Sequence, residues 1–429
     1  MNIALSTVLI CLILFLGSGI WIGLSLLATA GISLELLTAM PVGKIWAQAM
    51  WNSLNNWALA ALPMFIFLGE IILRTRMSEL LFQGLRPWVQ YIPGRLLHIN
   101  IFGSAIFAAV SGSSPATAAT IGKITLGQLK EEGYDSLLSQ GSLAGAGTLG
   151  LLIPPSIVLI IYGVLAEVSI GKLFIAGIVP GVMLACFYSG YIVLRIALNP
   201  RLAPREKAPF TWSERMASLL KLLPVTILIV LILGSIYLGF ATPSEAAGIG
   251  VVTSLLITWI LGDLSWKNMV QAMQGTINTS AMICFIIVGA SFLSVVMGYL
   301  HIPADVARFI ATLGLSPYLL IVIFTVFYLI LGFFMDGISM IVMTLPITLP
   351  LVNLAGFNPL WFGIYLVLVI EAGQITPPVG FNLFVIKGLT GDDLSRVARA
   401  SLPFLAILMF AVCVITVFPE MIMWLPGFM

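Results

Sequence analysis

The chain has 429 residues, of which 60% are hydrophobic and only 8% charged, with a formal net charge of +2 and a mean hydropathy of +1.13; a water-soluble fold cannot hide that much apolar surface. The near-neutral charge gives no reason to expect nucleic acid, and no glycine-rich loop ending in Gly-Lys-Ser/Thr is present to hydrolyse a nucleotide. The two histidines (His98, His301) and four cysteines (Cys11, Cys186, Cys284, Cys413) show neither metal-ligand nor disulfide spacing, which leaves an all-α polytopic membrane protein driven by an ion gradient or acting as a passive pore.

Apolar segments of about 20 residues match the length needed to cross hydrocarbon. In chain order they predict spans at 3–16, 19–38, 57–73, 135–167, 170–195, 222–240, 245–261, 276–299, 359–387 and 403–420. The first is short and can instead be half of one helix kinked at Gly17-Ser18-Gly19. Lacking a basic n-region and a small-residue cleavage site, it reads as part of the mature fold. Two further stretches do not read as single spans. Residues 99–130 form an apolar run to Val110, a break at Ser111-Gly112-Ser113-Ser114-Pro115, and a return ending at Lys130-Glu131-Glu132. An arm of that length rises only ~18 Å and must turn back, as in a re-entrant hairpin. Residues 317–354 follow the same plan, with a break at Asp336-Gly337, although here the first arm is long enough to span. Segments 74–98 and 300–316 mix apolar residues with charges (Arg74, Arg76, Glu79, Arg86; Asp305, Arg308) and read as amphipathic arms or surface loops.

The two halves resemble each other. Leu16-Gly17-Ser18 recurs as Leu233-Gly234-Ser235, Phe65-Ile66 with Gly69 as Phe285-Ile286 with Gly289, and Gly150, Pro154, Pro155 and Pro180 as Gly373, Pro377, Pro378 and Pro403. Placing the loop 196–221, with Arg201, Arg205, Lys207, Arg215 and Lys221, in the cytoplasm puts every Lys and Arg there except Lys44, Lys172, Arg308 and the hairpin's Lys123. The positive-inside rule is thereby satisfied, and the first hairpin opens to the cytoplasm and the second to the other face. Inverted repeats of this kind place a binding site at the midplane of many secondary transporters.

Spans 135–167 and 359–387 are interrupted at Gly145–Gly150 with Pro154-Pro155, and at Gly373-Gln374-Ile375-Thr376-Pro377-Pro378. Proline removes an N–H and glycine tolerates unwound backbone, so carbonyls and hydroxyls at these two broken helices are hard oxygen donors suited to a small cation such as sodium. The plainer alternative is a packing kink. Asp336 interrupts a stretch otherwise uncharged from Ser316 to Val352 and is either a partner for substrate hydroxyls or a helix cap. Glu70 and Glu245 read as residues that cap helix ends or sit near an interface, and Glu371 as a weaker ion-site candidate.

Pro63-Met64-Phe65 with Gly69-Glu70, Ser111–Ala118, Gly147–Pro155, Thr242–Ala247, Asp336-Gly337 and Thr376-Pro377-Pro378-Val379-Gly380 together resemble the large membrane subunit of tripartite ATP-independent periplasmic (TRAP) transporters, within the ion transporter superfamily. The resemblance runs through nearly the whole chain. It implies an elevator, with scaffold helices at 1–73 and 222–299, arms at 74–98 and 300–316, and a transport unit built from 99–195 (hairpin 99–130, broken helix 135–167) and 317–429 (hairpin 317–354, broken helix 359–387). It further implies a bacterial inner-membrane location, sodium coupling, a separate small four-helix membrane subunit, a soluble periplasmic substrate-binding protein, and a carboxylate substrate such as sialic acid or a C4-dicarboxylate.

With one hairpin tip and one broken helix per half, two sodium sites are expected: Ser111, Ser114, Gly150, Ile153 and Pro155 in the first, and Gly337, Gly373, Thr376 and Pro378 in the second. An organic anion is expected between the tips, at Ser113, Ser114, Asp336 and Ser339. The rival in the same class is a stand-alone sodium/carboxylate symporter. A passive channel also fits inverted repeats, whereas a membrane enzyme is disfavoured because the sequence shows no nucleophile–base set.

Overall fold

The computed structural model describes residues 3–204, 210–312, 316–333, 335–377 and 380–428, the side chains of 307 and 309–311 apart. The described residues form helices α1 (Ile3–Gly17), α2 (Ile22–Leu37), α3 (Val42–Leu54), α4 (Ala61–Leu73), α5 (Met77–Val89), α6 (Leu97–Ser111), α7 (Ser114–Glu131), α8 (Ser136–Gly147), α9 (Leu149–Leu152), α10 (Ile157–Leu165) and α11 (Ile170–Leu198). After the loop come α12 (Trp212–Tyr237), α13 (Pro243–Ile260), α14 (Trp266–Tyr299), α15 (Ile302–Thr312), α16 (Pro317–Leu331), α17 (Gly337–Leu354), α18 (Pro359–Gln374), α19 (Phe381–Thr390), α20 (Leu394–Val417) and α21 (Glu420–Met423).

Helix ends follow caps, and hydropathy alone does not locate them. The predicted spans at 222, 276 and 403 begin some ten residues inside their helices. The chain turns helical earlier because Thr211 and Glu214 form a reciprocal capping box at the start of α12, and Ser265 accepts from the Asn268 N–H at 3.1 Å at the start of α14. Thr242 and Glu245 form a second capping box ahead of α13, the role expected of Glu245. The first two spans are separate helices, because Gly19 adopts φ +79° between them. α3 was not anticipated, its Lys44, Gln48 and Asn52 having diluted the apolar signal. It meets the segment from Trp57 to Leu73 at a bend of 59°. Among the described residues six helices can cross a membrane alone, or up to eight if each of two bent pairs is one span. Three of the ten predicted spans drop out because α1, α2 and α18 are individually shorter than a full span, while α17, expected as a hairpin arm, is long and apolar enough to enter the count.

The outer faces fit lipid. Leu231, Val252, Ile277, Val326 and Phe410 are exposed on different helices, and eight of the ten tryptophans are exposed, among them Trp21, Trp212, Trp259 and Trp266 at helix ends. Such a distribution is a liability in water and an anchoring belt at a membrane interface. Inside, α2 and α3 pack on α14, α4 on α13 and α14, and α5 on α12. A second set joins α6, α7 and α8 to each other, α19 to α7, α20 to α8, and α16 and α17 to α18. The sets meet where α4 and α5 touch α6 and where α14 touches α17.

Between membrane helices the tightest contacts require small residues. At the α2–α14 crossing a methyl group on Gly289 would fall 2.7 Å from the Gly23 carbonyl oxygen, whereas one on Gly298 of the same helix meets nothing within 4 Å. Gly289→Val is expected to lower the thermal midpoint in detergent, corresponding to overpacking of about 1–3 kcal/mol, while Gly298→Ala stays at or above wild type. Equal behaviour of the two variants would show that the crossing is looser than this geometry.

Candidate functional site

Each helical hairpin turns at a tip built from local rules. α6 ends at Ser111 because Gly112 takes a left-handed conformation (φ +57°) as its C-cap. Ser113 is extended and caps α7, its Oγ accepting from the Ala116 N–H at 3.5 Å, with Pro115 in the first turn. In the second hairpin α16 stops at Leu331, so this arm rises only about 22 Å, shorter than the run read from sequence. Asp336 caps α17, accepting from the N–H groups of Ile338 (3.1 Å) and Ser339 (3.3 Å) and from the Ser339 hydroxyl.

Both tips rest against broken helices through glycine. A methyl on Gly112 would lie 3.1 Å from the Pro155 carbonyl oxygen, and one on Gly337 would lie 2.9 Å from Gln374 Nε2. The breaks themselves differ from the sequence reading. Gly145–Gly150 is not unwound: α8 and α9 run through it, and the interruption lies at Ile153–Ser156, where α10 departs at 41°. The glycines instead admit neighbours, since a methyl on Gly145 would strike Phe404 and one on Gly150 would fall 2.6 Å from Ser114 Cα. Gly373 likewise stays helical and packs on Gly332, and the second break begins at Ile375.

A cavity of about 410 Å³ lies between the tips, lined by Ser111, Ser113, Asp336, Gly337 and Gln374 and closed on the other side by α4 and α14 through Gly69 and Thr279. Its lining holds no Lys or Arg among the described residues. The N-termini of α7 and α17 both border it, that of α17 already capped by the Asp336 carboxylate, and the Glu70 carboxylate also lines the space. Lys123 lies elsewhere, exposed in a larger cavity of about 1230 Å³ shared with Arg74, Arg76 and Arg86. Of the predicted residues, Ser111, Ser113, Asp336 and Gly337 therefore meet at one space. Ser339 sits just behind it on Asp336. Gly150, Ile153 and Pro155 lie behind the first tip, Ile153 packing against Gly181. Thr376 donates to the Ala372 carbonyl at 2.5 Å at the second break, and Pro378 lies outside the described residues.

Ser114 occupies a deeper position than expected. Fully buried, its hydroxyl stands 2.9 Å from the Gly147 carbonyl and 2.9 Å from Glu371 Oε2, and accepts from Asn382 Nδ2 at 2.7 Å. One hydroxyl thus ties α7 and α8 of the first half to α18 and α19 of the second. Glu371, ranked low from sequence, is central here, and Asn382 and Gln374 were missed. Their signal was an isolated amide in an apolar helix, which from sequence alone looks the same as a surface polar residue.

The architecture is that of a multi-pass membrane protein. Residues 9–421 match the family described as "Tripartite ATP-independent periplasmic transporter, DctM component", and the chain belongs to that family of transporters. It is 35% identical to the C4-dicarboxylate TRAP transporter large permease protein DctM of Pseudomonas aeruginosa, covering 89% of each chain. It is 28% identical to the sialic acid TRAP transporter large permease protein SiaM of Vibrio cholerae, covering 95% of each. With the isethionate TRAP transporter permease protein DctMQ of Oleidesulfovibrio alaskensis it shares 32% identity over 97% of this chain and 65% of the relative. Its fold is similar to the Alcanivorax borkumensis YdaH transporter, with a TM-score of 0.68, 14% identity, and coverage of 97% of this chain and 98% of that one.

The geometry gives Asp336 the cap role outright. Asp336→Ala is expected to lower stability by about 1 kcal/mol, whereas Asp336→Asn, itself a good N-cap, stays near wild type. Thermal unfolding of the two purified variants checks this, and an equal loss in both would show that the charge and not the cap matters.

Proposed function

We propose that this chain is the large permease of a sodium-driven uptake system for a small organic acid across the bacterial inner membrane. The observation that carries the proposal is the cavity between the tips: the N-terminus of α7, two serines and the carboxylates of Asp336 and Glu70 face a space with no basic side chain among the described residues, so an organic anion there is held by hydroxyls, N–H groups and co-bound cations that offset the carboxylates. The names of the relatives point to carboxylates and sulfonates as substrates. Sodium fits the chemistry of the surroundings, which offer oxygen ligands and neither imidazole nor thiolate. Ser111, Ser114, Gly150, Ile153 and Pro155 would hold one ion, and Gly337, Gly373, Thr376 and Pro378 another.

In this reading the two halves are inverted repeats, and the hairpins and broken helices ride as one body against α1–α4 and α12–α14. The denser packing within each of the two helix sets supports that division. "Large permease" in the relatives' names, and one relative named DctMQ, support a smaller membrane partner, and the family description supports a periplasmic binding protein.

Proteoliposomes containing the chain and its small partner are expected to accumulate substrate only with an inward sodium gradient and the binding protein, with a sodium dependence steeper than first order. Ser114→Ala and Thr376→Ala should each weaken the apparent sodium affinity. Robust uptake by the chain alone would favour the stand-alone symporter, and downhill flux indifferent to sodium would favour a channel.

A further inference from the structure

Around Ser114 the donors and acceptors do not balance. The Ser114 hydroxyl has one proton and two acceptors at 2.9 Å, the Gly147 carbonyl and Glu371 Oε2, so at any moment one of them goes without. Asn382 Nδ2 already spends a donor on the same oxygen. The Leu151 backbone N–H is turned toward the Glu371 carboxylate, yet Glu371 Oε1 and Asn382 Oδ1 are both buried without a hydrogen-bond partner. Glu371 and Asn382 are fully buried, and none of the ion pairs among the described residues includes Glu371. An uncompensated carboxylate removed from water costs several kcal/mol or more. When Glu371 is ionised this environment is short of one positive charge, and Glu371 Oε1, Asn382 Oδ1 and the Gly147 carbonyl are the oxygens gathered there.

We infer that Glu371, Asn382 and the Gly147 carbonyl, with Ser114 at their edge, form a further site for a monovalent cation, taken to be sodium, at the seam between the two halves. The site deepens the sodium-driven reading and rests on it, but its anchors, Glu371 and Asn382, belong to neither tip set. It is the one place where a carboxylate from α18 meets the tip of the first hairpin. Occupancy there would reinforce the tie that the Ser114 hydroxyl already makes between α7 and α8 of the first half and α18 and α19 of the second. Hard oxygen ligands with a single negative charge suit sodium better than a divalent ion, which draws more carboxylates.

Equilibrium binding of radioactive sodium and sodium-dependent thermal stabilisation, measured on the purified full chain against potassium, test the site. Glu371→Gln supplies an N–H and removes the charge. In sodium-free buffer it should be at least as stable as wild type, while binding one fewer sodium and needing roughly tenfold more sodium for half-maximal stabilisation. Asn382→Ala keeps the carboxylate and loses one oxygen, so it should weaken sodium's effect without abolishing it, and it decides the matter if Glu371→Gln fails to fold. Undiminished sodium count and affinity in the variants would overturn the site. So would a Glu371→Gln chain that keeps its sodium but loses a proton exchanged during the titration, which would identify the occupant as a proton. A wild-type chain that binds no sodium would instead sink the sodium-driven reading itself.

Discussion

In hydrocarbon every polar group must find its partner inside the protein, and this constraint decides where the chain may depart from regular helix. Its departures at membrane depth are few and they are gathered together. The first tip lies against the first break, Gly112 beside the Pro155 carbonyl, and the second tip against the second, Gly337 beside Gln374. Ser114 is the point on which this arrangement turns. With it removed, the Gly147 carbonyl and the Asn382 amide lose a partner in a place no water can reach.

The same constraint explains the use of glycine. At Gly112, Gly150 and Gly373 the backbone of one element lies against a tip or a break, and at Gly337 side chains do, so that a methyl group would crowd or collide with its neighbours. Small residues at such contacts let polar backbone approach polar backbone, which is how an irregular segment at depth is kept away from lipid. Charged residues are handled differently. Arg76 pairs with Asp263 at 2.8 Å and Arg86 with Glu132 at 2.8 Å around the larger cavity, leaving the space between the tips without a fixed cation.

The helical class, the helix breaks at Ser111–Pro115 and Asp336-Gly337 and most helix positions were legible in the sequence, because apolar runs and those interruptions report on solvent and backbone directly. Helix starts at Trp212 and Trp266 were misplaced because capping by Thr211 and Ser265 extends a helix past its hydrophobic stretch. The Gly145–Gly150 run read as unwound for a related reason: a glycine that loosens backbone and a glycine that makes room for Phe404 are the same letter. Glu371 was undervalued because its importance is a long-range fact. Only folding brings it to Ser114, 257 positions away in the chain.

In the proposed mechanism the hairpins and broken helices from both halves form one body that moves against the remaining helices. Distances between spin labels, in a chain whose four native cysteines have been replaced, test it directly. Labels at Lys130 and Ser395 lie at exposed positions within the proposed body, and Lys267 at an exposed position outside it. Comparing sodium with substrate against sodium-free conditions, the Lys130–Ser395 distance should stay fixed while the Lys130–Lys267 distance changes by several ångströms. A fixed Lys130–Lys267 distance, or a change confined to the Lys130–Ser395 pair, would contradict a rigid body moving against a scaffold.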